Sequence, residues 1–226
     1  MDRMNMQENP VLGLATGSTP EGIYQGFIQE YNKGKVSFKN VTTFNLDEYT
    51  GLKKDDPNSY CYFMNEKLLR HIDIAMERVH IPSGTAVDLK SECLKYERAI
   101  ERAGGIDIQV LGIGENGHIG FNEPGASFSS RTHVVDLADS TIQANSRFFK
   151  SVDEVPKQAI SMGIQTIMDS KEILLLISGE AKADAVAKLL EEEVSEDLPA
   201  SILKKHANIT VIIDEAAFKG TLSASF

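Results

Sequence analysis

The chain has 226 residues, 42% of them hydrophobic and 25% charged, and its 33 acidic against 23 basic side chains give a formal net charge of −10. That balance argues against nucleic acid or an anionic membrane as a partner, and an anionic small molecule would need a locally basic site. No apolar run approaches the roughly 20 residues of a membrane span, and the polar start Met1–Pro10 lacks the apolar stretch of a signal peptide.

Strand-like and helix-like stretches alternate along the whole length. Val11–Ala15 reads as a strand and Pro20 to about Tyr31 as a helix; Val41–Leu46 is a β-rich run, followed by a helix near Ser59–His71. A helix near Val87–Arg102 leads into a strand at Ile106–Leu111. Cys61 and Cys93 fall in these two helical stretches and read as plain thiols, too few for a disulfide framework or a metal-ligand cluster, which suits the cytoplasm. Thr132–Leu137 is a further strand candidate, with a helix from about Ser140 to Phe149. The continuous apolar run Glu172–Ile177 fits a parallel strand covered on both faces. A helix over Ala181–Glu191, a short helix from Pro199 to Lys205 and a strand at Ile209–Ile213 complete the series. This βα order predicts a single α/β domain, a three-layer α/β/α sandwich around a mostly parallel sheet.

Four places beyond predicted strands carry chemistry. Thr16-Gly-Ser-Thr-Pro20 opens directly into a helix, where backbone N–H groups and hydroxyls suit a phosphate; capping by Ser18 or Thr19 is the equally weighted alternative. In Asn45–Gly51, Asp47 and Glu48 must point to opposite faces of an extended chain, so one of them can reach a pocket while the other cannot. The stretch Gly112–Gly125 holds five glycines, one histidine and two acidic residues. Such a loop is suited to close backbone approach to a ligand, with His118 and Glu123 near enough to pair and Asn116 able to add a neutral hydrogen bond. Lys182 stands at a helix start, where a cation is disfavoured unless an anion is present, and Arg147 has apolar neighbours.

Thr16–Pro20, Phe44-Asn-Leu-Asp-Glu-Tyr49, Gly114–Pro124 with its Gly-His-Ile-Gly-Phe-Asn-Glu-Pro core, and Asn145-Ser-Arg-Phe-Phe149 resemble, in this order, the signature set of the glucosamine-6-phosphate deaminase family. Val155–Ala159, Gly179–Ala183 and Pro199–Ile202 extend the likeness from about Val11 to Asp214. The resemblance implies a Rossmann-like sandwich and conversion of glucosamine 6-phosphate to fructose 6-phosphate and ammonia, with no metal and no organic cofactor. It implies Asp47 as the base moving a proton from C2 to C1, and His118 as the acid/base of ring opening, oriented by Glu123 and helped by Asn116. Gly17, Ser18 and Thr19 would receive the phosphate, clamped by Arg147 and Lys182.

Three departures from the family pattern shape the expectations. Asn116 stands where some members have aspartate, and an amide cannot act as a base. Only about ten residues precede the Val11 strand, where members usually have a strand and a helix. His133 and Val135 replace basic residues of allosteric members, so no activation by N-acetylglucosamine 6-phosphate is expected, and the chain is expected to be a monomer or small homo-oligomer. Rival readings are a 6-phosphogluconolactonase-like hydrolase and a non-catalytic sugar-phosphate sensor; the Phe121–Pro124 ending and the retained Asp47, His118 and Glu123 count against them.

Overall fold

The computed structural model describes residues 7–219. Six strands form a parallel sheet: β1 (Val11–Leu14), β2 (Thr42–Asn45), β4 (Val79–His80), β5 (Ile108–Gly112), β8 (Glu172–Ile177) and β9 (Ile209–Ile213), in the order β4-β2-β1-β5-β8-β9. From β1 the chain winds outward through β2 to β4, then returns to the other side of β1 for β5, β8 and β9. The direction of winding therefore reverses between β1 and β5, and a crevice opens at their C-terminal ends.

Helices cover both faces, as the alternation predicts. On one side α3 (Leu89–Arg102) buries Cys93, Tyr96 and Ile100, the helical repeat of its apolar positions, after Asp88 caps it by accepting the Ser91 N–H at 3.0 Å. With it pack α5 (Ile164–Met168), α6 (Ala183–Glu191) and α7 (Glu215–Phe218), around Phe44, Leu111, Ile173 and Leu175 of the sheet. On the other side α1 (Glu21–Asn32) and α2 (Tyr60–Lys67) bring Tyr24, Met64 and the nearby Leu68 against Leu12, Leu14 and Val110. Among the described residues no helix is long and apolar enough to cross a membrane.

The sheet is not the whole story. A second, three-stranded antiparallel sheet, in the order β3-β7-β6, joins β3 (Asp47–Tyr49), β7 (Gln158–Ser161) and β6 (His133–Asp136). Between β6 and β7 lies α4 (Asp139–Asn145). The expected helix from Ser140 to Phe149 is in fact α4 followed by a separate 3-10 turn, Ser146–Phe148, and the Pro199–Lys205 helix is 3-10 throughout. The Val41–Leu46 run ends where the chain changes sheet. The Leu46 N–H donates to Leu14 O at 2.9 Å in the parallel sheet, and its carbonyl accepts the Met162 N–H at 2.7 Å beside β7. The stretch after Leu46, expected to be a loop, is thus a strand that stands Asp47 over the C-terminal end of β2.

Candidate active site

A pocket of about 800 Å³ opens over the crevice between β1 and β5. Gly17, Ser18, Thr19, Asp47, Asn116, His118, Arg147 and Lys182 all line it. Glu123 does not; it stands behind His118.

Alternation along β3 settles which acidic residue faces the pocket. Glu48 turns away, and its carboxylate accepts the N–H groups of Tyr49 (2.9 Å), Tyr60 (2.9 Å) and Cys61 (2.8 Å), anchoring the start of α2. Asp47 is 7% exposed and has no side-chain hydrogen bond among the described residues. Burial, followed by the nearby Glu48 charge, pushes its carboxyl up to about 8. A carboxyl in this range is suited to taking and returning a proton near neutral pH.

His118 is held in a different way. Its Nδ1 lies 2.7 Å from Asn116 Oδ1 and 3.4 Å from Glu123 Oε2, so the amide oxygen takes the hydrogen bond and the carboxylate acts through its charge. Asn116 Oδ1 also accepts the His118 backbone N–H at 3.2 Å, while Asn116 Nδ2 donates to Glu123 Oε2 at 2.7 Å. Because an amide oxygen only accepts, the imidazole carries its proton on Nδ1, leaving Nε2 as the basic nitrogen. The Thr141 hydroxyl donates to the other oxygen of Glu123. Burial alone would raise the Glu123 carboxyl, but the His118 ring facing it and the bonds from Thr141 and Asn116 outweigh it and bring it down to about 2.

Two glycines make this loop possible. A Cβ on Gly114 would overlap the His118 ring, which lies across that backbone. Gly117 has φ +84°, and a Cβ there would run into Leu198, while its carbonyl accepts the Ala200 N–H at 2.9 Å. The antiparallel sheet then ties the loop to Asp47: Ser161 pairs with Asp47 in register, and its hydroxyl accepts the Phe121 N–H at 3.0 Å. Buried Asn122 adds bonds to Ile119 O and Met162 O, both at 2.8 Å.

At the far end of the pocket, Gly17–Thr19 lead from β1 into α1. The residue capping α1 is Pro20, with no side-chain cap, so the capping alternative for Ser18 and Thr19 is not realised. The N–H groups of Gly17, Ser18 and Thr19 have no acceptor among the described residues, and they lie at the positive end of a 12-residue helix. Lys182, in the 3-10 turn Glu180–Lys182 before α6, is half-buried. Burial lowers its pKa against an opposing pull from Glu115, and the Arg147 charge adds a smaller lowering. Unpaired donors and two mutually repelling cations at one end of a protein this acidic are the features that suit a dianion.

Sequence reasoning missed Thr141, Tyr60 and Ser161. Tyr60 lies 4.8 Å from Tyr49 and stacks 6.1 Å from Phe121, making an aromatic wall of the pocket. Nothing in the sequence marks Thr141 apart from its neighbours. Ser161 was hidden with β7, a four-residue strand too short to show a period.

Fold and site together define an α/β sugar-phosphate enzyme family: residues 2–212 match the model of the glucosamine-6-phosphate isomerases/6-phosphogluconolactonase family, and the chain belongs to it. A glucosamine-6-phosphate deaminase of Oceanobacillus iheyensis is 62% identical over 210 residues, 93% of this chain and 84% of that protein. Glucosamine-6-phosphate deaminase 1 of Bacillus subtilis is 57% identical over 216 residues, 96% of this chain and 89% of that one. The solved structure of a monomeric glucosamine-6-phosphate deaminase superposes with a TM-score of 0.95 at 56% identity, covering 96% of this chain and 90% of its own. The 6-phosphogluconolactonase of Thermotoga maritima, at TM-score 0.74 and 22% identity, shares the fold.

Proposed function

We propose that this protein is a glucosamine-6-phosphate deaminase, converting glucosamine 6-phosphate and water to fructose 6-phosphate and ammonia in the breakdown of amino sugars. The observation that carries the reading is the pairing of two unlike acid/base groups, a buried unpartnered carboxyl and an oriented imidazole, in one pocket that ends in unpaired N–H donors and cations. The deaminases named above, at 57% and 62% identity, support the same chemistry.

The substrate's phosphate is received by the N–H groups of Gly17, Ser18 and Thr19 and by Arg147 and Lys182. Nε2 of His118 takes the proton from the anomeric hydroxyl as the C1–O5 bond breaks, and the proton is passed to O5, opening the pyranose. Asn116 and Glu123 hold the ring of His118, and Thr141 holds Glu123; these three are positioning residues. Ionised Asp47 then takes the C2 proton and returns it to C1, while a proton passes from the amine to O1, so that C1 becomes an alcohol and the amine-bearing carbon an imine. Water adds at C2, the C2–N bond breaks and ammonia leaves. C1 is reduced as C2 is oxidised, so the scheme balances within the substrate and calls on no external oxidant or reductant. The solved relative at 56% identity is a monomeric deaminase, which supports a monomer here, and the free thiols Cys61 and Cys93 suit a cytoplasmic setting.

The direct test is incubation with glucosamine 6-phosphate, following ammonia and fructose 6-phosphate together. Equimolar appearance of both is expected. Absence of ammonia, or equal turnover of unphosphorylated glucosamine, would refute the reading.

A further inference from the structure

Arg147, in the proposed phosphate site, is exposed and projects from the short 3-10 turn Ser146–Phe148. Such a guanidinium normally finds a carboxylate, as Arg70 does in Glu66 (2.6 Å) and Arg131 does in Asp169 (2.5 Å). Arg147 has no ion pair and no hydrogen bond among the described residues. Its contact is with the next residue: Cζ lies 4.7 Å from the centroid of the Phe148 ring. Phe148 is itself unusual, since it is 54% exposed and lines the pocket. A large apolar ring at a wet pocket mouth gains little from burial.

These two oddities explain each other. A carboxylate beside Arg147 would hold it in place but would neutralise it and occupy the N–H donors needed for an anionic ligand. An aromatic face attracts the cation through the ring quadrupole and leaves all the donors in the guanidinium plane unsatisfied. The nearby Lys182 also repels Arg147, so without a hold the long side chain would swing into solvent when the pocket is empty.

We propose that Phe148 is a positioning residue for anion binding: its ring holds the Arg147 guanidinium at the pocket mouth, fully charged and with its donors free, ready for the substrate's phosphate. This rests on the deaminase reading only for the identity of the substrate; the anion-holding role stands on the Arg147–Phe148 geometry. Phe148 contributes through Arg147 alone and takes no part in the proton transfers.

The test is a double-mutant cycle read in two ways. Phe148→Leu keeps apolar bulk and removes the quadrupole, and should raise KM for glucosamine 6-phosphate about three- to tenfold while leaving kcat within about twofold. Phe148→Trp, with a stronger ring face, should restore or lower KM. On an Arg147→Ala background Phe148→Leu should have no further effect. Incorporating mono-, di- and trifluorinated phenylalanine at position 148, which weakens the ring face stepwise at nearly constant shape, should raise KM in steps. The same cycle measured by calorimetry with fructose 6-phosphate and with inorganic phosphate should show the matching losses in Kd. That arm decides the matter even if the protein were to release no ammonia, an outcome that would sink the deaminase reading alone. An effect of Phe148→Leu that persists without Arg147, falls on kcat, or ignores fluorination would overturn the proposal.

Discussion

The two sides of the pocket hold carboxylates that have been treated in opposite ways. Asp47 and Glu123 both lie in low-exposure surroundings, yet burial carries one up to about 8 and hydrogen bonding carries the other down to about 2. Glu123 receives bonds from Asn116 and Thr141 and faces the His118 ring. Asp47 receives none among the described residues and lies near the buried tyrosines Tyr49, Tyr60 and Tyr96 and beside Glu48. The outcome is a division of labour: a carboxylate saturated with donors becomes a fixed charge, while one deprived of donors becomes a proton carrier. The neighbouring Glu48 falls between the two: the same strand turns it onto three backbone N–H groups, which pull its pKa down, but burial outweighs them and the carboxyl stays above its ordinary value.

The largest expected effect comes from removing the proton carrier. Asp47→Asn keeps the shape but cannot accept a proton, so kcat should fall by about 10² to 10⁴-fold with substrate affinity nearly unchanged. A variant retaining more than about a tenth of wild-type kcat would remove Asp47 from the isomerisation. On the other side, His118→Gln should slow conversion of the cyclic sugar by about 10²-fold or more. It should leave largely intact the exchange of the C1 proton of fructose 6-phosphate with heavy water in the presence of ammonium, which stops before the pyranose closes. Equal loss in both assays would place His118 in the isomerisation and merge the two sides into one function.

Phosphate binding should separate from both. Lys182→Ala and Arg147→Ala should chiefly raise KM, by about ten- to a hundredfold for a charge-assisted bond, and unphosphorylated glucosamine should be a very poor substrate. If kcat falls instead, the cations act in the chemistry and the proposed division of the pocket is wrong.

Stability against pH sharpens the contrast because the two carboxylates have opposite signs. Between 3.8 and about 8 the folded chain keeps a proton on Asp47 that the unfolded chain releases, so this group's contribution is full at low pH and lost as pH rises through about 8. Asp47→Asn should therefore gain in Tm over wild type as pH is raised from about 5 to about 9. Glu123 works the other way: its contribution is present above 4.5 and lost as pH falls through about 2. Glu123→Gln should lower Tm at neutral pH, with the deficit closing in acid. Parallel curves for the two variants would contradict the opposed environments. The smallest expected effect is none at all: kinetics should be hyperbolic and indifferent to N-acetylglucosamine 6-phosphate. In the structure His133 spends Nδ1 on Arg131 O at 2.8 Å, and Val135 packs with the aromatic cluster around Tyr49 and Phe121. A sigmoidal curve relieved by that ligand would reveal a linked site elsewhere.

The parallel layer of this protein was legible because it is written in local patterns. Glu172–Ile177 is a continuous apolar run and forms a strand with Ile173 and Leu175 fully buried, and the repeat Cys93, Tyr96, Ile100 marks one face of α3. The glycines of the His118 loop were legible for the same reason: positive φ and close approach leave a compositional mark. The antiparallel layer was legible only in part: β6 lies within the strand candidate Thr132–Leu137, but β3 and β7 went unread. These two strands span three and four residues and pair across more than a hundred positions of chain, so no local period announces them. The motifs carried the identities of Asp47, His118 and Glu123, since those residue types recur in a family order that the chain repeats. Only the tertiary structure decided that Glu48 turns away onto three backbone N–H groups, that Asn116 rather than Glu123 accepts the hydrogen bond of the imidazole N–H, and that Thr141 completes the set. The physical reason is common to all three: a side chain's partner depends on which face its strand presents and on what the rest of the chain brings within about 3 Å of it, and neither is a property of neighbours in sequence.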